Sequence, residues 1–150
     1  MSAMACRLSL VREATSPALA FVYDRGPASA AARLSVCVAY AERQRWPVAG
    51  AWTESGEHVA RPVAEQPAYR KLLASLLGEH RDGDRDVVLV VTDWDRLHPD
   101  PAQQFVACRQ IHDAGGWTET TAGDTSLRLV ERHRPRRTPR DGRAHAYSNA

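Results

Sequence analysis

Apolar and polar positions along this 150-residue chain fall into blocks that switch between two periods. Val87 to Val91 is an unbroken apolar run, four of its five residues β-branched. That pattern predicts a strand buried on both faces, as in the middle of a parallel sheet. Ala18 to Tyr23 predicts a first strand, which stops at Asp24-Arg25-Gly26-Pro27 because Gly-Pro is a strong turn signal. From about Ser29 to Arg45 the period becomes helical, with Leu34, Cys37, Val38 and Ala41 on one stripe and Ser29 available as cap. Pro47 to Trp52 reads as a second strand and residues 53–65 as an irregular loop.

A second helix is expected from about Pro67 to His80. Tyr69, Leu72, Leu73, Leu76 and Leu77 there recur at i, i+3, i+4, i+7 and i+8. The third helix has the best start signal: Asp100 as N-cap, Pro101 at the first helical position and Gln103 placed to close a capping box. It should stop at Gly115-Gly116. Trp117 to Thr121 and Ser126 to Val130 can then form short strands. Alternation of strand and helix predicts an α/β domain with a mostly parallel sheet and strand order 2-1-3-4. The expected organisation is an N-terminal extension over 1–16, one domain over 17–131, and a basic tail over 132–150 that is too rich in Arg, Pro and Gly to form a core.

Composition changes this picture little. With 43% apolar and 25% charged residues the chain is an ordinary soluble globular sequence, and a net charge of +2 does not by itself point to nucleic acid. Charge distribution says more, since Arg132, Arg134, Arg136, Arg137, Arg140 and Arg143 crowd the tail and make it a candidate for weak, non-specific DNA contacts. Cys37 and Cys108 lie in apolar stretches and read as buried free thiols. No segment approaches the about 18 apolar residues of a membrane span, and the start lacks the apolar block of a signal peptide, so a cytoplasmic protein is expected. The six histidines show no metal-ligand spacing. The four tryptophans flank predicted strands and turns, which suits packing better than base stacking.

Four short matches, taken in order, resemble the catalytic domain of the serine recombinases, the resolvase/invertase family, over roughly residues 19–121. Tyr23-Asp24-Arg25 is similar to that family's Tyr-x-Arg, and Thr53-Glu54-Ser55-Gly56 to its Asp-x-x-x-Ser-Gly loop. Gln66-Pro67-Ala68-Tyr69-Arg70-Lys71-Leu72-Leu73 is similar to its Arg-Pro-x-x-x-x-Leu-Leu helix, and Asp95-Arg96-Leu97 to its Asp-Arg-Leu. The resemblance implies a resolvase-like three-layer fold, with a four- to five-stranded, mostly parallel sheet and helices on both faces. It also implies assembly as a homodimer or with a recombinase-like partner.

The departures bear on chemistry. Where the resemblance calls for the nucleophilic serine the chain has Pro27, and two of the expected arginines are Gln66 and Pro99. In-line attack on a phosphodiester needs a nucleophile and cations on the oxygens that gather charge. Losing one such donor costs about 10²–10³ in rate. Over these 150 residues the family's long helix and DNA-binding domain are not expected.

The expectation is therefore a chain that is not an enzyme, needs no cofactor or metal, and serves as a binding or regulatory module in a DNA-related process. Arg25 and Arg96 form its anion site, with Asp24, Ser29, Asp93 and Asp95 as accessory residues. Two alternatives stand beside it. One is an active nuclease or recombinase using displaced residues, with Ser29 as nucleophile. The other is a small-anion or nucleotide-binding protein built on Arg25 and Arg96. Asp93-x-Asp95 with Glu54 and Asp24 also raises a magnesium reading, less favoured because Asp95 is already explained beside Arg96. In the blandest reading, Asp24 and Asp95 merely neutralise the two arginines.

Overall fold

The valine run behaves as its composition dictates. In the computed structural model, which describes residues 17–26, 28–54, 61–83 and 85–127 (without the side chains of 81–83), strand β3 (Val87–Val91) has every residue buried. Each such side chain contributes about 1.5–3 kcal/mol by leaving water. Around it lie β1 (Leu19–Arg25), α1 (Ala30–Arg43), β2 (Val48–Glu54), α2 (Pro67–Gly83), α3 (Pro101–Asp113) and β4 (Gly116–Thr120). Short 3-10 turns occupy Val63–Glu65 and Trp94–Arg96. The four strands are all parallel in the order β2-β1-β3-β4, the α/β layout and strand order read from the sequence.

Helices cover both faces, and the alternation of β1 sorts them. Ala20 and Val22 face α1 and pack on Cys37, Tyr40 and Ala41. Phe21 and Tyr23 face the other way and join Tyr69, Leu72, Leu76, Cys108 and Ile111 of α2 and α3. Because strand side chains alternate between faces, Asp24 continues the α1 face and Arg25 the α2 face. The tryptophans pack: Trp52 stacks on Phe21 with centroids 5.6 Å apart, and Trp46 meets Trp117 edge-on at 5.8 Å. Cys37 and Cys108 are buried and free. No helix among the described residues is long and apolar enough to cross a membrane.

Several local expectations are corrected. β1 runs on to Arg25 and β2 to Glu54, so both charged residues sit within strands rather than in loops. Ser29 does not cap α1 with its side chain; it adopts a left-handed conformation with φ 61°. Asp100 does cap α3, accepting from the Ala102 N–H at 3.0 Å. Gln103, however, is drawn away from its capping box, because its Oε1 accepts the Val63 N–H at 2.9 Å. A strand over 126–130 does not form within its described part. Instead a turn at Thr121–Asp124 brings Thr125 back for one antiparallel bridge to Glu119, and the Ser126 hydroxyl takes the Thr118 N–H at 2.9 Å where a ladder carbonyl would sit. Residues 1–16, Pro27, Ser55, Gly56 and the arginines from 132 onward lie outside the described residues.

Candidate anion site at the carboxyl ends of β1 and β3

Strand order changes direction between β1 and β3, where open α/β sheets bind ligands. Arg25 closes β1, and Arg96 lies in the 3-10 turn that follows β3. That turn is set by Asp93, whose carboxylate accepts the Arg96 N–H at 3.2 Å. The Arg96 guanidinium reaches across and donates from Nη1 to the backbone carbonyl of Arg25 at 3.0 Å. The two residues thus meet, through one guanidinium and one carbonyl.

The Arg25 side chain follows the α2 face and is 4% exposed. Burial lowers its pKa, while the nearby Tyr23 and Glu54 act in the opposite direction. Glu54 itself ties the end of β2 to the start of α2. Its carboxylate accepts from Tyr69 N–H at 2.9 Å, Ala68 N–H at 3.2 Å and the Tyr23 hydroxyl at 3.3 Å. A buried carboxylate on the first N–H groups of a helix serves as a cap and complements the helix dipole. Burial, then Glu54, raises the Tyr23 hydroxyl far above the ordinary phenol range.

Asp24 takes a partner the sequence reading did not single out. On the α1 face it is 1% exposed and held in a bidentate pair by Arg33, Nε to Oδ1 at 2.8 Å and Nη2 to Oδ2 at 2.9 Å. The hydrogen bonds to Asp24 raise the Arg33 pKa. Arg33 could have been found by combining the parity of β1 with the first turn of α1, which must pack over it.

Gly26 lies beneath the Arg96 and Arg33 guanidiniums. It has φ +130°, and a Cβ there would stand 2.8 Å from Arg96 Nη1 and 3.3 Å from Arg33 Nη2. Asp93 and Asp95 are exposed, as is Ser29. Asp24 and Glu54 do not converge with them: one belongs to Arg33 and the other to the start of α2.

Gln66 and His98 lie behind the crevice in a latch. Gln66 is fully buried and donates to the Arg61 carbonyl at 2.9 Å. His98 Nδ1 accepts the Asp100 N–H at 3.0 Å, so its Nε2 carries the ring proton and donates to the same Arg61 carbonyl at 2.8 Å. The glutamine standing where the resemblance expects an arginine is thereby used to anchor the returning chain.

No protein-family profile matches the chain, and no curated protein matches it. Among solved structures the fold is similar to the N-terminal catalytic domain of TP901-1 integrase, with a TM-score of 0.60, 17% identity, and coverage of 72% of this chain and 81% of that one. It is also similar to a resolvase family site-specific recombinase from Streptococcus pneumoniae, with a TM-score of 0.58, 13% identity, and coverage of 77% and 88%. At these identities the likeness is one of fold. It corrects one expectation: a non-enzyme reading does not stand when a domain of the same fold is a catalytic one.

Proposed function

We propose that this resolvase-like domain serves in a DNA-recombination process, and that the crevice between β1 and β3 binds a phosphate of the DNA backbone. The observation that carries the reading is the placement of Arg96. One N–H of its guanidinium is spent on the Arg25 carbonyl, and among the described residues it makes no ion pair with a carboxylate. A guanidinium carries five donors in a planar fork suited to phosphate oxygens. Arg25 contributes its backbone carbonyl, which holds the Arg96 guanidinium in place, while its own side chain lies buried beside Tyr23 and Glu54. The arginine tail supplies further, sequence-independent phosphate contacts, and a second copy or a recombinase-like partner supplies the rest of a DNA-spanning assembly.

The test is binding of a short duplex to the full chain and to Arg96→Ala at two salt concentrations. Arg96→Ala should weaken binding and reduce its salt dependence by about one phosphate contact. Equal affinity and an equal salt slope in both proteins would overturn the reading.

Ser29 favours a second reading, in which the crevice also performs phosphodiester chemistry. A serine with φ 61° and no side-chain bond to the helix it precedes is held in a conformation L-residues avoid, and such strain collects at functional sites. Attack by its hydroxyl would leave a phosphoserine ester and release one strand hydroxyl. Incubation with supercoiled plasmid decides this: nicking that vanishes in Ser29→Ala supports it, and intact plasmid sinks it.

A further inference from the structure

We propose that Arg33 is the second side chain that contacts the phosphate held by Arg96, with Asp24 as the residue that positions it; this rests on reading the crevice as a phosphate site. Parity along β1 turns Arg25 to the α2 face, and Gln66 is committed to the Arg61 carbonyl behind the sheet. Among the motif residues that leaves Arg96 as the cation on the α1 side of the crevice. Arg33 reaches the same place from the first turn of α1. Its Nη2 and the Arg96 Nη1 lie 3.3 and 2.8 Å from one point above the Gly26 Cα. Two guanidiniums held around one point repel each other unless an anion lies between or beside them.

Asp24 meets only part of that need. Its bidentate pair takes one N–H each from Nε and Nη2 of Arg33, and the second N–H of Nη2, the Arg33 atom beside that point, has no acceptor among the described residues. Arg96 is not bonded to Asp24 at all. Asp93, the other carboxylate acting on Arg33, is exposed and bonded to the Arg96 N–H, so solvent screens its repulsion of an incoming anion. Ser29 does not cap the adjoining α1, so the first-turn N–H groups there meet no side-chain oxygen from it. Gly26 keeps the approach clear, because any side chain at that position would meet both guanidiniums. The ligand class is a phosphate monoester or diester oxygen pair. Asp24, buried and bidentate, fixes the Arg33 fork with Nη2 beside the Gly26 Cα.

The experiment is thermal unfolding of the full chain in phosphate against chloride at matched ionic strength and pH. The phosphate-dependent rise in Tm is the binding signal, and the chloride baseline reports any purely structural cost. Arg33→Ala should need about ten-fold more phosphate for the same rise, the loss expected for one charged hydrogen-bonding partner. Arg33→Gln can still bond Asp24 without the charge; it should show the same loss, and it serves if Arg33→Ala does not fold. Asp24→Asn keeps only one acceptor for Arg33 and should also need more phosphate for the same rise, because the fork is no longer held by two bonds. Repeating the titration with a dinucleoside monophosphate separates a backbone diester from free phosphate as the source.

A phosphate response unchanged in Arg33→Ala or Arg33→Gln but lost in Arg96→Ala would overturn the proposal, leaving Arg33 as the partner of Asp24 alone. Absence of any response in the unaltered protein would instead remove the phosphate reading of the crevice, and the proposal with it.

Discussion

The Glu54 carboxylate accepts the backbone N–H of Tyr69 at 2.9 Å, fifteen residues further along the chain. This bond, with its neighbour to Ala68, makes the last residue of β2 the cap of α2. Replacing Glu54 with Ala leaves two helix N–H groups and the Tyr23 hydroxyl without their acceptor in a buried place. The expected cost is about 2–3 kcal/mol, with Glu54→Gln nearer about 1 kcal/mol. Urea unfolding measures both. A change in Glu54→Ala below about 0.5 kcal/mol, the size of an ordinary surface substitution, would refute the capping role.

Gly26 is constrained twice, by φ +130° and by the guanidiniums above it. Gly26→Ala should therefore destabilise the fold by about 1–3 kcal/mol and push Arg96 off the Arg25 carbonyl. Denaturation gives the first quantity, and loss of the phosphate response gives the second. Wild-type values for both would mean that the turn relaxes freely.

Burial pushes Cys37 up to about 12 and Cys108 up to about 11, from an ordinary value of 9.0. Both thiols should be inert to a disulfide reagent at pH 8 in the folded protein, because almost none is thiolate. They should react in denaturant, measured with the chain's third cysteine removed by Cys6→Ser. The linkage has a definite sign. A raised pKa means that the folded state keeps a proton which the unfolded chain loses above about pH 9. This stability is full below that pH and is lost as pH rises toward 11–12. Unfolding free energy that stays flat from pH 8 to 11 would contradict it.

The six arginines between 132 and 143 lie outside the described residues, and their role rests on charge alone. Deleting 132–150 should lower DNA affinity and flatten its dependence on salt, each lost phosphate contact removing about 0.9 from the slope. A truncated protein with the same slope would place the DNA contacts wholly within the domain.

The likeness to recombinase domains is one of architecture, which the motifs suggested. Arg25 and Arg96 meet at the carboxyl ends of β1 and β3, through one guanidinium and one backbone carbonyl, where the expected strand order puts them side by side. Gln66 and Glu54 were legible only as members of a pattern. In the structure they are a loop anchor and a helix cap, roles that depend on atoms far away in sequence.

What the sequence determined by itself is the layering. Five consecutive buried residues in β3 can be satisfied only in a central strand with helices on both faces, and the heptad-like spacing from Tyr69 to Leu77 leaves α2 one face to bury. Asp100-Pro101 marks the start of α3 locally, because a cap and its N–H are two residues apart. Partner choice at the site was decided only by the tertiary structure. Asp24 and Arg25 are neighbours in the chain, yet the period of two sends them to opposite faces. The carboxylate then meets Arg33 of α1 and the guanidinium lies beside Tyr23 and Glu54. Charge pairing acts over a few ångströms, so which charges meet is settled by the packing of helices on a sheet, a distance that spacing along the chain does not encode.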